Sequence, residues 1–122
     1  MPRTKMFLVP KAVAAEAQSA LWMHAYYHRG GTHVGLNTAH MLAFPLPEKG
    51  GARISLRKVR HIARYFPRHA VDKRAKGFRR RERGYPSAGR IAWGLWGGDA
   101  GWRWAQAIVD RYAPLKTKAR RR

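Results

Sequence analysis

The sequence has 122 residues and a formal net charge of +20, from 26 basic and 6 acidic side chains, and it contains no cysteine. That length suits one domain with a modest core, and the absent thiols exclude disulfides, thiolate metal sites and cysteine nucleophiles. No apolar run approaches the roughly 18 residues of a membrane span, and the stretch 6–9 is too short for the core of a signal peptide.

In chain order, residues 1–9 read as a basic arm, residues 10–113 as a single helical domain and residues 114–122 as a basic tail. Pro10 suits the first turn of a helix over about 11–29, with Val13, Ala17, Ala20, Leu21 and His24 on one face. Gly30 and Gly31 are expected to stop it. Thr32 caps a second helix to about residue 44, with Val34, Ala39, Met41 and Leu42 as inward candidates. Two prolines and a glycine pair make 45–53 a loop.

The third helix has the clearest start. Ser55 is a good N-cap, and Ile54 with Val59 could staple the entry. Leu56, Val59, Ile62, Ala63 and Phe66 form an apolar stripe opposite Arg57, Lys58, Arg60, His61 and Arg64. Pro67 is expected to kink or end the helix, with room for a basic extension beyond it. Residues 72–85 lose apolar periodicity and read as a mobile basic loop. Ser87 opens a fourth helix carrying Ile91, Ala92, Leu95 and Trp96, stopped by Gly97 and Gly98. Asp99 is the expected cap of a fifth, with Gly101, Trp104, Ala105, Ile108 and Tyr112 along one face. No strand alternation stands out. The expected fold class is all-α: a compact bundle of about five short helices.

Charge is concentrated. Residues 53–83 hold thirteen of the 26 basic side chains and two acids, Asp72 and Glu82. A surface of one sign attracts a polyanion, and arginine's planar fork matches phosphate. The expected partner is nucleic acid, DNA before RNA, held mainly through its phosphate backbone. The candidate contacts are Arg53, Arg57, Lys58, Arg60, Arg64, Arg68, Lys73, Arg74, Lys76, Arg79, Arg80, Arg81 and Arg83. The tail adds Lys116, Lys118, Arg120, Arg121 and Arg122. His61 and His69 lie inside this patch. A helix-turn-helix is the alternative, with Arg57, Lys58 and Arg60 facing the groove, although the connection from about 44 to 54 exceeds the usual turn.

Other chemistry is thinly represented. His24 and His28 share a helix face and His33 follows, but no HExxH pattern supports a metal site. There is no phosphate-loop motif, and the six acids are scattered, so no enzyme activity, catalytic residue or cofactor is expected. Among the aromatics Trp22, Tyr26, Tyr27, Trp93, Trp96, Trp102 and Trp104, which could stack on bases, Trp93, Trp96 and Trp104 read as core. Trp102 reads as the best exposed ring.

Several segments carry a family resemblance. They are Gly30-Gly31-Thr32 with Val34-Gly35, Ser55 with Val59-Arg60, and Arg68-His69 with Asp72-Lys73. The longest runs Pro86-Ser87-Ala88-Gly89-Arg90-Ile91-Ala92-Trp93 through Leu95-Trp96-Gly97-Gly98-Asp99-Ala100-Gly101 to Trp104-Ala105. Together they resemble a small helical module of tailed phages and prophages, over about residues 11–105. The chain departs from that pattern at Thr38-Ala39-His40, where arginine is expected, and at Ala70, where an acid is common. The resemblance implies phage origin, a helical fold and the company of virion or head-assembly proteins. It brings no active site. The implied location is the host cytoplasm or the virion, and the second functional alternative is a virion protein whose basic face meets packaged DNA. No membrane partner is expected, and oligomeric state is left open.

Overall fold

Short polar side chains start three of the helices. The structure, a computed structural model, describes residues 5–43 and 53–112. Within them lie β1 (Met6–Leu8), α1 (Lys11–Tyr27), α2 (His33–Ala43), β2 (Arg53–Ser55), α3 (Leu56–His69), a 3-10 helix (Ala70–Arg74), α4 (Ala88–Leu95) and α5 (Gly98–Tyr112). The fold is an all-α bundle of five helices with one small sheet among the described residues. Ser55 Oγ accepts the Lys58 N–H at 3.2 Å, and Ser87 Oγ accepts the Arg90 N–H at 3.0 Å. Thr32 Oγ1 does the same for Gly35 at 3.0 Å. Each satisfies a backbone donor that the first helical turn leaves unpaired. Ser55→Ala and Ser87→Ala are each expected to cost about 1 kcal/mol, read as a lower urea midpoint at unchanged slope.

Several expectations are corrected. The arm is not wholly irregular: Met6–Leu8 pairs antiparallel with Arg53–Ser55, Phe7 opposite Ile54. Arg53 and its neighbours therefore form a strand rather than the end of a loop; the rest of the 45–53 loop lies outside the described residues. α1 ends at Tyr27, before the glycines, because His28 takes the left-handed cap (φ 55°). The His24 ring closes this end, with Nδ1 3.0 Å from the Gly30 carbonyl oxygen. A carbonyl only accepts, so Nδ1 carries the proton. In α2, Val34 and Met41 point outward, while Gly35, Thr38, Ala39, Leu42 and Ala43 are buried. Pro67 does not stop α3, which runs on to His69 and tightens into the 3-10 helix. Asp99 is not a cap. It sits in the first turn of α5, where Oδ1 accepts the Trp93 indole N–H at 2.9 Å and the Lys73 ammonium at 2.9 Å. Burial opposes the Asp99 charge, but these two hydrogen bonds and the positive charges of Lys73 and Arg103 outweigh it and lower its pKa.

The core is a set of small and aromatic surfaces fitted together. α1 offers an alanine face (Ala14, Ala17, Ala20), all buried. Because those side chains are small, α4 approaches closely: a Cβ on Gly94 would lie 2.7 Å from Ala20 Cβ. α1 also packs on α2 and α5, and α3 packs chiefly on α5. The aromatic half gathers around Trp93, with Phe66 at 4.8 Å, Trp102 at 5.7 Å and Phe78 at 5.8 Å between ring centres. Trp102, the ring expected outside, is half-buried and stacks on Phe66. No helix among the described residues is long and apolar enough to cross a membrane.

Candidate nucleic-acid interface

α3 separates its two faces sharply. Val59, Ile62, Ala63 and Phe66 are fully inside, joined by Tyr65. At 100° per residue, Arg57, Arg60, His61, Arg64 and Arg68 fall on one outer arc. Arg57, Arg64 and Arg68 are exposed, and Arg60 and His61 are half-buried. Two open hollows follow this arc. One, of about 360 Å³, is lined by Ser55, Arg57, Lys58, His61 and Arg64. The other, of about 240 Å³, is lined by His61, Arg64, Tyr65, Arg68, His69 and Trp96. They share His61 and Arg64, so the guanidinium groups border one furrow along the helix.

An aromatic stack stiffens the furrow from beneath. Tyr65 lies parallel to Trp96 at 4.6 Å and to His69 at 4.3 Å. His61 meets Trp96 edge-on at 5.0 Å. Burial, and then the nearby Asp72 charge, pushes the Tyr65 phenol well above its ordinary pKa, so it stays neutral.

Lys58 differs from its basic neighbours in being held by other side chains. Its ammonium turns inward, donating to Thr38 Oγ1 at 2.8 Å and to His61 Nδ1 at 3.1 Å, and lies 5.3 Å from the Trp96 ring centre. Burial lowers its pKa. Lys58 thus lines the furrow, half-buried, with its ammonium already engaged by Thr38 and His61. Lys73 is also engaged, by Asp99 and by the face of Trp93 at 5.1 Å.

The His61 ring is held neutral. Burial lowers its pKa first, and the positive charges of Lys58, Arg64 and Arg68 lower it further. The unfolded chain therefore takes up this proton before the folded one as pH falls. Stability contributed here is complete above about pH 6.5, declines below it, and levels off below the folded pKa. The melting temperature of the free protein is expected to fall as pH drops from 7 through 6. His61→Gln should make that fall shallower, because Gln cannot be protonated.

The segment 72–85 is tied together by hydrogen bonds of its own. Glu82 Oε1 accepts the N–H groups of Arg79 at 2.9 Å and Gly77 at 3.2 Å. Ser87 N–H bonds the Gly77 carbonyl at 2.9 Å, and Phe78 packs on Trp93. Glu82 thus faces its own backbone. Arg74, Lys76, Arg79, Arg80, Arg81 and Arg83 are left exposed. Arg53 lies in β2, exposed at its start. Lys116, Lys118, Arg120, Arg121 and Arg122 lie outside the described residues, as do residues 1–4 of the arm.

The acids complete the electrostatic account. Glu16 pairs with Arg90 at 3.5 Å, Asp72 with His69 at 3.6 Å and Asp99 with Lys73. Asp110 accepts from Gln106 at 2.9 Å. Among the described residues no carboxylate is paired with Arg57, Arg60, Arg64 or Arg68. Nor do any three His, Cys, Asp or Glu residues group to hold a metal ion. Comparison with protein-family models, curated proteins and solved structures returned no match.

Two features were out of reach of the sequence. Arg29 was not among the candidate contacts, yet its guanidinium reaches the carbonyls of Gly84 at 3.3 Å and Pro86 at 3.2 Å. Those residues lie more than fifty positions away, so no local pattern marks the contact. The Tyr65–Trp96 stack likewise joins α3 to the residue that caps the end of α4.

Proposed function

We propose that this protein binds nucleic acid without transforming it, DNA before RNA, through phosphate contacts along the outer face of α3 and the arginine turn 79–83. The observation that carries the reading is the arc of Arg57, Arg60, Arg64 and Arg68, which no described carboxylate neutralises. Guanidinium groups spaced along a rigid helix suit a row of phosphates. The described acids are taken up by structural partners, which supports a binding role over acid–base catalysis. The block 86–105 forms α4, the turn after it and the first half of α5, so its tryptophans and glycines serve packing. Its resemblance to a tailed-phage module suggests the setting in which the protein binds DNA. A helix-turn-helix reading gains less support, since β2 intervenes between α2 and α3 and α3 packs chiefly on α5.

The test is a salt titration against duplex DNA, single-stranded DNA and RNA. If roughly 6–10 phosphates are engaged, affinity falls about 10³–10⁵-fold between 50 and 200 mM salt. A flat response removes the proposal.

A further inference from the structure

The last turns of α1 expose three aromatic rings that the core does not use. Trp22 is 60% exposed, Tyr26 is 64% exposed and Tyr27 is 36% exposed. Four residues apart on the helix, Trp22 and Tyr26 stack at 5.0 Å with only 8° between their planes. Tyr27 stands edge-on to Tyr26 at 4.8 Å. Leaving this much aromatic surface in water is unfavourable unless something covers it.

The surroundings indicate what covers it. The Arg29 guanidinium lies 5.7 Å from the Tyr27 ring centre. The same guanidinium binds the carbonyls of Gly84 and Pro86, at the exit of the turn that exposes Arg79, Arg80, Arg81 and Arg83. The rings and the turn are therefore adjoining parts of one surface, joined by Arg29. Within the turn, the carboxylate of Glu82 is folded onto the backbone. An apolar protein partner would have to desolvate these guanidinium groups to reach the rings. A strand of unpaired nucleotides would not, because its bases stack on aromatic faces while its phosphates meet arginine.

We infer that the end of α1 and the turn 79–83 form a platform for single-stranded nucleic acid, with a base on the Trp22–Tyr26 stack and phosphates along the arginines. The inference rests on the phosphate-binding reading and adds to it a preference for unpaired strands. Duplex DNA keeps its bases stacked inside and gains nothing from the rings.

The experiment compares dissociation constants for an oligo-dT strand and for a duplex of equal phosphate number at one salt concentration. Trp22→Ala/Tyr26→Ala is expected to weaken single-strand binding about ten- to a hundredfold and leave duplex binding within about twofold. Trp22→Phe/Tyr26→Phe, which keeps two rings, should recover most of the loss. The rings are exposed, so far-ultraviolet circular dichroism and melting should be nearly unaltered. Unchanged single-strand affinity in the alanine variant overturns the inference and leaves the rings as a protein-docking surface. Equal loss on both ligands overturns it as well. If the unaltered protein binds neither ligand at low salt, the phosphate-binding reading itself falls.

Discussion

Replacing Arg57, Arg64 and Arg68 together with alanine is expected to lower affinity for duplex DNA by about a thousandfold or more at low salt. Hydrogen bonds to charged groups contribute about 1.5–3 kcal/mol each, and about 1.4 kcal/mol is tenfold in affinity. Three such contacts therefore give a loss of this order. The sharper readout is the salt slope. Each phosphate no longer neutralised removes about 0.9 from it, so the plot of log affinity against log salt becomes shallower by about 2–3. The three side chains are exposed and border the furrow without entering the core. The fold should persist, and relief of like-charge repulsion works toward higher stability. Lys58→Ala supplies the contrast. By sequence it belongs to the same basic stripe, yet its ammonium holds Thr38 and His61. Its loss should lower the urea midpoint and leave the salt slope nearly unchanged. If Lys58→Ala flattens the slope as much as an exposed arginine does, the inward assignment of Lys58 is wrong. The arginine-to-lysine triple separates charge from shape: it keeps the slope but loses affinity where the planar fork mattered.

What the sequence disclosed follows from locality. Thr32, Ser55 and Ser87 were legible because a cap and the amide it binds lie three residues apart. The α3 core stripe was legible because one helix face meets one interior. β1 and β2 were not, since three residues each are too few to show alternation and their pairing spans the whole of α1 and α2. Trp102 was misplaced because α5 packs against both α1 and α3. A helix between two neighbours buries a wider arc than a single stripe, and Trp102 occupies its α3 side against Phe66. Pro67 was read from its local cost, a lost hydrogen bond and a clash with the preceding turn. Tyr65 and Phe66, packed on Trp93, Trp96 and Trp102, hold the α3 backbone helical through that position. For the candidate site, the basic arc was visible as charge, but the direction of Lys58 was not. Its partner Thr38 is on another helix, twenty residues away. Nor could the alanine-rich α1 show which of its aromatics face water, because apolar residues occur around its whole circumference.

Trp93→Ala is expected to destabilise the protein by about 3–5 kcal/mol, the range for deleting a large buried aromatic. Trp93 is 2% exposed and joins four parts of the chain. Its ring packs on Phe66 and Tyr65 of α3, on Trp102 of α5 and on Phe78 of the basic turn. Its N–H binds Asp99, and Lys73 lies over its face. Truncation therefore leaves a cavity and also strips the exposed Asp99 carboxylate of one donor. Against a total stability of about 5–15 kcal/mol for a domain, the loss should move the urea midpoint far down at nearly constant slope. Trp93→Phe keeps much of the ring volume and removes the indole donor, so about 1–2 kcal/mol is expected. A Trp93→Ala cost below 1 kcal/mol would show that the aromatic cluster does not hold the bundle together. The two variants also separate folding from binding. Trp93 is remote from solvent, so Trp93→Phe, while still folded, should bind DNA with an unaltered salt slope. A changed slope would mean that the Trp93 cluster sets the positions of the arginines on α3 and in the turn. Phe66 and Phe78, which carry those two elements, both rest on this one ring.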